Sequence, residues 1–180
     1  HGLVTISDVT VNGLPTVKAT DRIGVETHFD IEPNAYAEFA CMNSVRHTDV
    51  VKSSCDPLWD CELKFPFSGD AFSVRAQGSI SCKVYHKAPK NAANRKVSLG
   101  SVSFSLAELS DDIKDACAMQ HRVVRTQRET LFIGSALGGK STRFQKCGVL
   151  SARISVEPLT YESICEYSTV SEHAMNEYEK

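Results

Sequence analysis

The stretch FIGSALGGKST (132–142) carries a phosphate-binding signature. Gly134, Gly139, Lys140 and Ser141 satisfy G-x-x-x-x-G-K-[ST], in which glycine-rich backbone cradles phosphates and the lysine reaches the outer ones. That chemistry requires a buried strand before the loop, a helix after it and a parallel sheet around both. Here Gly148 follows within a few residues, an alternating strand pattern comes next, and no acidic strand end stands out to hold magnesium. The motif reads instead as a glycine-rich hairpin joining the last two strands, and no nucleotide is expected.

Other reactive residues form no better constellation. The six histidines (His1, His28, His47, His86, His121, His173) show neither His-x-x-x-His nor His-Glu-x-x-His spacing, and no G-x-S-x-G elbow exists. The seven cysteines are odd in number and include no C-x-x-C pair, so they suit neither a zinc site nor a secreted disulfide framework. Reduced thiols, several in the core, are the expectation. A Cys–His pair brought together only by folding is the one catalytic arrangement that spacing leaves open. The expectation is therefore a protein with no enzyme activity, no cofactor and no metal.

What remains is charge. From Lys83 to Gly100 there is no acid, and Lys83, Lys87, Lys90, Arg95 and Lys96 give a local charge of +5. From Arg122 to Lys146 a second run holds Arg122, Arg125, Arg128, Lys140, Arg143 and Lys146 against Glu129. The whole chain is nevertheless at −2, and its strands lack the interleaved basic and aromatic residues of a base-stacking platform, so nucleic acid is not expected. Near an anionic bilayer surface each Lys or Arg would contribute on the order of 1 kcal/mol. No apolar loop tip stands out to enter a bilayer.

These charges need a scaffold, and the dominant period of the sequence is two. In VSLGSVSFSL, Val102, Phe104 and Leu106 alternate with Ser101, Ser103 and Ser105. In VLSARISVE, Leu150, Ala152, Ile154 and Val156 alternate with Ser151, Arg153, Ser155 and Glu157; in SISCKVYH, Ile80, Cys82 and Val84 alternate with Ser81, Lys83 and Tyr85. LVTISDVTV changes phase near Asp8, as a bulge requires. Further strands are predicted over 36–42, 45–52, 61–67 and 122–133, with turn chemistry at Asn12-Gly13, Asp56-Pro57, Ser68-Gly69-Asp70 and Gly138-Gly139. One short helix, capped by Ser110, is predicted in SLAELSDDIKDACAM. Strands at this spacing imply an antiparallel sandwich or barrel. From Thr160 the composition shifts to five Glu and one Lys, so residues 159–180 read as an acidic tail, helical or disordered, behind a domain of residues 1–158.

Residues 55–67, CDPLWDCELKFPF, resemble the C2 domain, an eight-stranded β-sandwich family. Asp56, Pro57 and Trp59 follow its Asn-Pro-x-Trp turn, and Leu63 and Phe65 its next strand. NAYAEF (34–39), SCKVYHKA (81–88), SLGSVSFSLAEL (98–109) and CGVLSARISVEP (147–158) resemble further strands in the right order. The likeness spans roughly residues 3–158, and physically Trp59 plugs the sandwich. Two stretches depart from it: 15–33 is longer than the usual first loop, and SGDAFSVRAQG is an enlarged connection. The family often binds calcium through carboxylates in its first and third loops, but Asn34 replaces a first-loop Asp, and His86 and Ala88 replace two third-loop Asp residues. Calcium wants six to eight oxygens, several anionic, and is not expected here. What the resemblance implies is a cytoplasmic module of a larger protein. It would dock without calcium on anionic membranes through Lys83, Lys87, Lys90, Arg95 and Lys96, with Arg122, Arg125, Lys140, Arg143 and Lys146 as a second patch. The alternative is a protein–protein scaffold module of a trafficking, cytoskeletal or centriolar protein.

Overall fold

The computed structural model describes residues 2–21, 23–41, 44–67, 79–90, 92, 95–105, 122–137 and 141–158. Ten strands run through them: β1 (Gly2–Asn12), β2 (Val17–Thr20), β3 (Glu26–Ile31), β4 (Ala35–Cys41), β5 (Ser44–His47), β6 (Leu58–Phe67), β7 (Ser79–Lys87), β8 (Lys96–Ser105), β9 (Val123–Leu137) and β10 (Ser141–Pro158). Eight are hydrogen-bonded in the order β5-β4-β7-β8-β9-β10-β1-β6, all antiparallel; β2 and β3 form a separate hairpin. The link between β8 and β9 is the single pair Ser101↔Phe132. The sheet folds over at that link into two four-stranded layers, and on the opposite side Arg46 of β5 lies over the Phe65 ring of β6, 5.9 Å from its centroid. This is the all-β C2-type sandwich. The short helix expected near Ser110 and the acidic tail 159–180 lie outside the described residues.

Alternation fills the space between the layers. Val4 and Ile6, Ala37 and Phe39, Leu63 and Phe65, Ile80 and Val84, and Ala152 and Ile154 all point inward and are buried. Trp59 joins them at 3% exposure. In β1 the phase shifts as its sequence requires: Asp8 takes φ 48°, the register with β10 slips between Ser7 and Thr10, and Val9 and Val11 then become the inward residues. Without that bulge the second half of β1 would turn its apolar side chains to water.

Four sequence expectations change. β8 does not keep one phase, because Gly100 at φ 154° and a register shift between Val84 and Tyr85 bury Leu99 and Gly100 in succession. A Cβ on Gly100 would lie 2.6 Å from Cys147 Sγ, so only glycine lets β8 pass there. Ser155, on the outward side of β10, is buried at 2% exposure, and the Arg122 guanidinium donates to its hydroxyl at 3.0 Å. The strand expected over 45–52 is cut to Ser44–His47. There the buried Thr48 hydroxyl accepts the Ala37 amide at 2.9 Å and donates to the Asp49 carbonyl at 3.0 Å, which turns the chain until Val51 bridges back to Ala35. The long first loop is not a loop but the β2–β3 hairpin.

Candidate functional site

Register decides which segments share an end of the sandwich. The last β1–β10 pair is Asn12↔Val149. The β2–β3 hairpin follows β1 at that end, the 88–95 loop joins β7 to β8 there, and β10 from Ser141 to Gly148 overhangs beyond it. A groove of about 310 Å³ lies between these projections. Pro15, Val17, Lys18 and Glu26 line one side, Ala88, Ala92 and Val97 another, with His86, Leu99 and Ile133 also lining it.

The groove floor explains the fate of the positions where the resemblance led one to look for carboxylates. The Asn34 backbone N–H donates to His86 Nδ1 at 2.9 Å, and the Asn34 side-chain Oδ1 accepts the Ser53 backbone N–H at 3.1 Å. His86 is buried at 3% exposure, and burial pushes its pKa below the ordinary imidazole value. Its Nδ1 accepts, so the ring is neutral with the proton on Nε2. Asn34 and His86 thus hold each other. Nearby, Lys18 pairs with Asp30 at 2.8 Å.

The five third-loop cations divide. Lys87, Lys90 and Arg95 are exposed and make no ion pair with the described residues. The loop is pinned by the Lys87 amide on the Asn34 carbonyl (2.8 Å) and the Ala88 amide on the Arg95 carbonyl (3.1 Å). Lys96 stands opposite Lys87 across the ladder but swings onto the sheet face. Its ammonium donates to Glu38 at 2.7 Å and sits 3.8 Å from the Tyr85 centroid, while Tyr85 stacks on Tyr36 at 5.6 Å. Burial disfavours its charge, yet the hydrogen bond and the charge of Glu38 outweigh burial and leave its pKa raised. Lys96 is therefore a structural cation. Lys83 projects from mid-β7, opposite Glu38 on one side and Ser101 on the other.

The second basic run is not one patch. Arg122 lies against Ser155, near the far end of β10, and Arg125 pairs in register with Ile154. Lys146, opposite Phe132, lies well away along the same ribbon. Arg143 pairs in register with Ser135, and Lys140 lies outside the described residues.

Sequence reading missed the apolar counterpart of these charges. Ile23 is 82% exposed, Phe29 75%, Val25 56% and Ile31 41%, all on the β2–β3 hairpin. Such a patch on one small element is of the kind that marks a contact site. A signal existed: Phe29 and Ile31 alternate with Asp30 after the Asp21-to-Val25 turn, where Asp21 Oδ1 accepts the Ile23 and Val25 amides at 2.9 Å each.

Nucleophilic chemistry finds no support among the described thiols. Burial pushes Cys41 up to about 12 and raises Cys82, Cys61, Cys55 and Cys147 as well, the reverse of an activated cysteine. No helix among the described residues is long and apolar enough to cross a membrane.

A family model described as the C2 domain matches residues 3–121. No curated protein sequence matches the chain. Among solved structures, one described as a C2 domain is 12% identical, with a TM-score of 0.53 over 88% of this chain and 100% of the other. A single C2 domain of plant extended synaptotagmin 1 is 16% identical, with a TM-score of 0.52 over 88% and 96%. A calcium-bound structure of the paired C2 domains of extended synaptotagmin 2 is 13% identical, with a TM-score of 0.58 over 87% of this chain and 45% of the other.

Proposed function

This chain belongs to the C2 domain family, a family of binding modules, and on that premise we propose that it docks on anionic membrane surfaces without calcium. One observation carries the reading. Exposed cations (Lys87, Lys90, Arg95) and exposed apolar side chains (Ile23, Val25, Phe29, Ile31) stand at the same end, on the two segments whose other residues line one groove. The two kinds of group act additively on a bilayer. Three cations contribute roughly 3 kcal/mol near an anionic surface, in a salt-sensitive way. Apolar side chains below the headgroups contribute in proportion to buried area, about 25 cal/mol per Å², whatever the salt. Calcium has no part, since Asn34, His86 and Ala88 offer no carboxylate and the described residues bring no three acids, histidines or cysteines together as a metal site. Lys83 adds long-range attraction, and Lys96 little, because Glu38 neutralises it. Polyphosphoinositides, with the most charge per headgroup, are the preferred anions, and the cytoplasmic leaflet is the setting.

The test is sedimentation with vesicles of phosphatidylcholine alone, with phosphatidylserine, and with a phosphoinositide, each with chelator or calcium and at rising salt. Binding to the anionic vesicles only, unchanged by chelator and weakened by salt, is expected. Wild-type protein that ignores anionic vesicles at low salt overturns the reading. A protein–protein scaffold role would then lead. It is favoured by Glu26, Asp30 and Glu32 beside the apolar hairpin, where a basic partner would fit, and a pull-down with the β2–β3 hairpin mutated would test it.

A further inference from the structure

We propose that the overhanging part of the β9–β10 ribbon is a second membrane contact, with Phe144 as its inserted ring and Lys146 as its headgroup cation. This rests on the docking reading of the same end but concerns a different element.

Beyond Phe132 and Asn12 the ribbon is hydrogen-bonded to no other described strand, because Ser101↔Phe132 and Asn12↔Val149 are the last pairs with β8 and β1, although Val97 and Leu99 of β8 still face Ile133 across the groove. From there β9 and β10 pair only with each other, up to Leu137↔Ser141. The departure point is shaped in the backbone. The β9–β10 register shifts between Lys146 and Val149, and Gly148 takes φ 140°. A Cβ on Gly148 would meet the Asn12 carbonyl oxygen at 2.9 Å, so glycine is what lets β10 pass the end of β1 so closely. Such bulges bend a ribbon and re-aim its side chains.

The overhang has two different faces. Ile133 lines the groove. Residues paired across a ladder share a face, so Phe132 stands with Lys146, and Phe144 stands with Gly134 on the other face from Ile133. Phe144 is 68% exposed and Phe132 39%. Directly opposite Phe144 stands Gly134, so no cross-strand partner side chain covers its ring. A ring held out in this way, with an ammonium two residues along, suits a bilayer boundary. The ring enters the acyl edge, and the lysine stem lies along it with its charge among the phosphates.

The occupant is a bilayer because the overhang projects from the end that also carries Ile23, Phe29 and the third-loop cations. Hairpin, third loop and ribbon are three separate projections from one end. Contact through all three sets the tilt of the sandwich, which two contacts would leave free about the line joining them.

The experiment uses Phe144→Trp and, for comparison, Phe29→Trp, with anionic vesicles containing brominated phosphatidylcholine. Trp59, 3% exposed, supplies the unquenched background. Quenching and a blue shift for both introduced tryptophans are expected, and Phe144→Ala should weaken vesicle binding about five-fold with an unchanged thermal midpoint. If Trp at 29 is quenched while Trp at 144 is not, and Phe144→Ala binds like wild type, the ribbon is no membrane contact although the docking reading stands. If no variant binds anionic vesicles at low salt, the docking reading fails and takes this one with it. A Phe144→Ala defect seen in protein pull-down and not with vesicles would overturn the membrane assignment in favour of a protein partner.

Discussion

Phe39 and Phe65 in the body of the sandwich are wholly buried, whereas Phe29 and Phe144 at its projecting end are 75% and 68% exposed. The residue type is the same and the strand alternation that presents it is the same. The difference is whether a second layer stands opposite. In the body each inward face meets the other layer, so register alone converts an alternating sequence into a core. At the end, the β2–β3 hairpin and the β9–β10 overhang run past the last pairs of the two layers, and alternation then delivers apolar side chains to the surface. Body and end should accordingly respond to mutation through different readouts.

The largest effect is expected in the body. Phe65→Ala should cost about 3–5 kcal/mol of folding stability, measured by denaturant unfolding, with vesicle binding of the remaining folded protein unchanged. At the end, the pair Ile23→Ser and Phe29→Ser should do the reverse: about a hundred-fold loss of vesicle affinity, with stability within about 0.5 kcal/mol of wild type. A fall in stability as large as that of Phe65→Ala would mean the hairpin is packed rather than presented. Lys87→Ala with Lys90→Ala should lose about thirty-fold at low ionic strength and progressively less as salt rises, read by titration with anionic vesicles.

A smaller effect separates the two uses of charge. Lys96→Ala removes an ion pair with a partly exposed partner, so a stability loss of under about 1 kcal/mol is expected. Its vesicle affinity should fall less than that of Lys87→Ala alone, and an equal fall would return Lys96 to the docking surface. The smallest effect is pH-dependent. The folded-state pKa of His86 lies below its unfolded value of 6.5, so as pH falls below about 6.5 the unfolded chain takes the proton first and stability declines until the folded pKa is passed. His86→Gln should lose that component of the pH profile, as thermal melts from about pH 7.5 down to about pH 5 would record.

What the sequence displayed was local. Period two marked the strands, the phase change at Asp8 marked the bulge, and Asp56-Pro57-Leu58-Trp59 marked the buried tryptophan. What it hid depended on residues far along the chain. Glu38, which takes Lys96 out of the basic run, is 58 positions away, and the Arg122 that caps Ser155 is 33 away. The phase change in β8 is forced by Cys147 and Leu131 crowding Gly100. The β2–β3 hairpin was hidden differently: its alternation is short and interleaved with acids, which made an apolar surface look like a polar loop.

Gly2 and Pro158 are direct partners across β1 and β10, at the end of the sandwich away from the groove. A pulling force borne through those two points would act at right angles to the strands and strain one pair of hydrogen bonds at a time, opening the ladder from Gly2↔Pro158 inward like a zip. Resistance to such a load is small however large the core. Force between Gly2 and the β9–β10 overhang would run along the strands and load many pairs together, so the same molecule is mechanically weak along one line and strong along another.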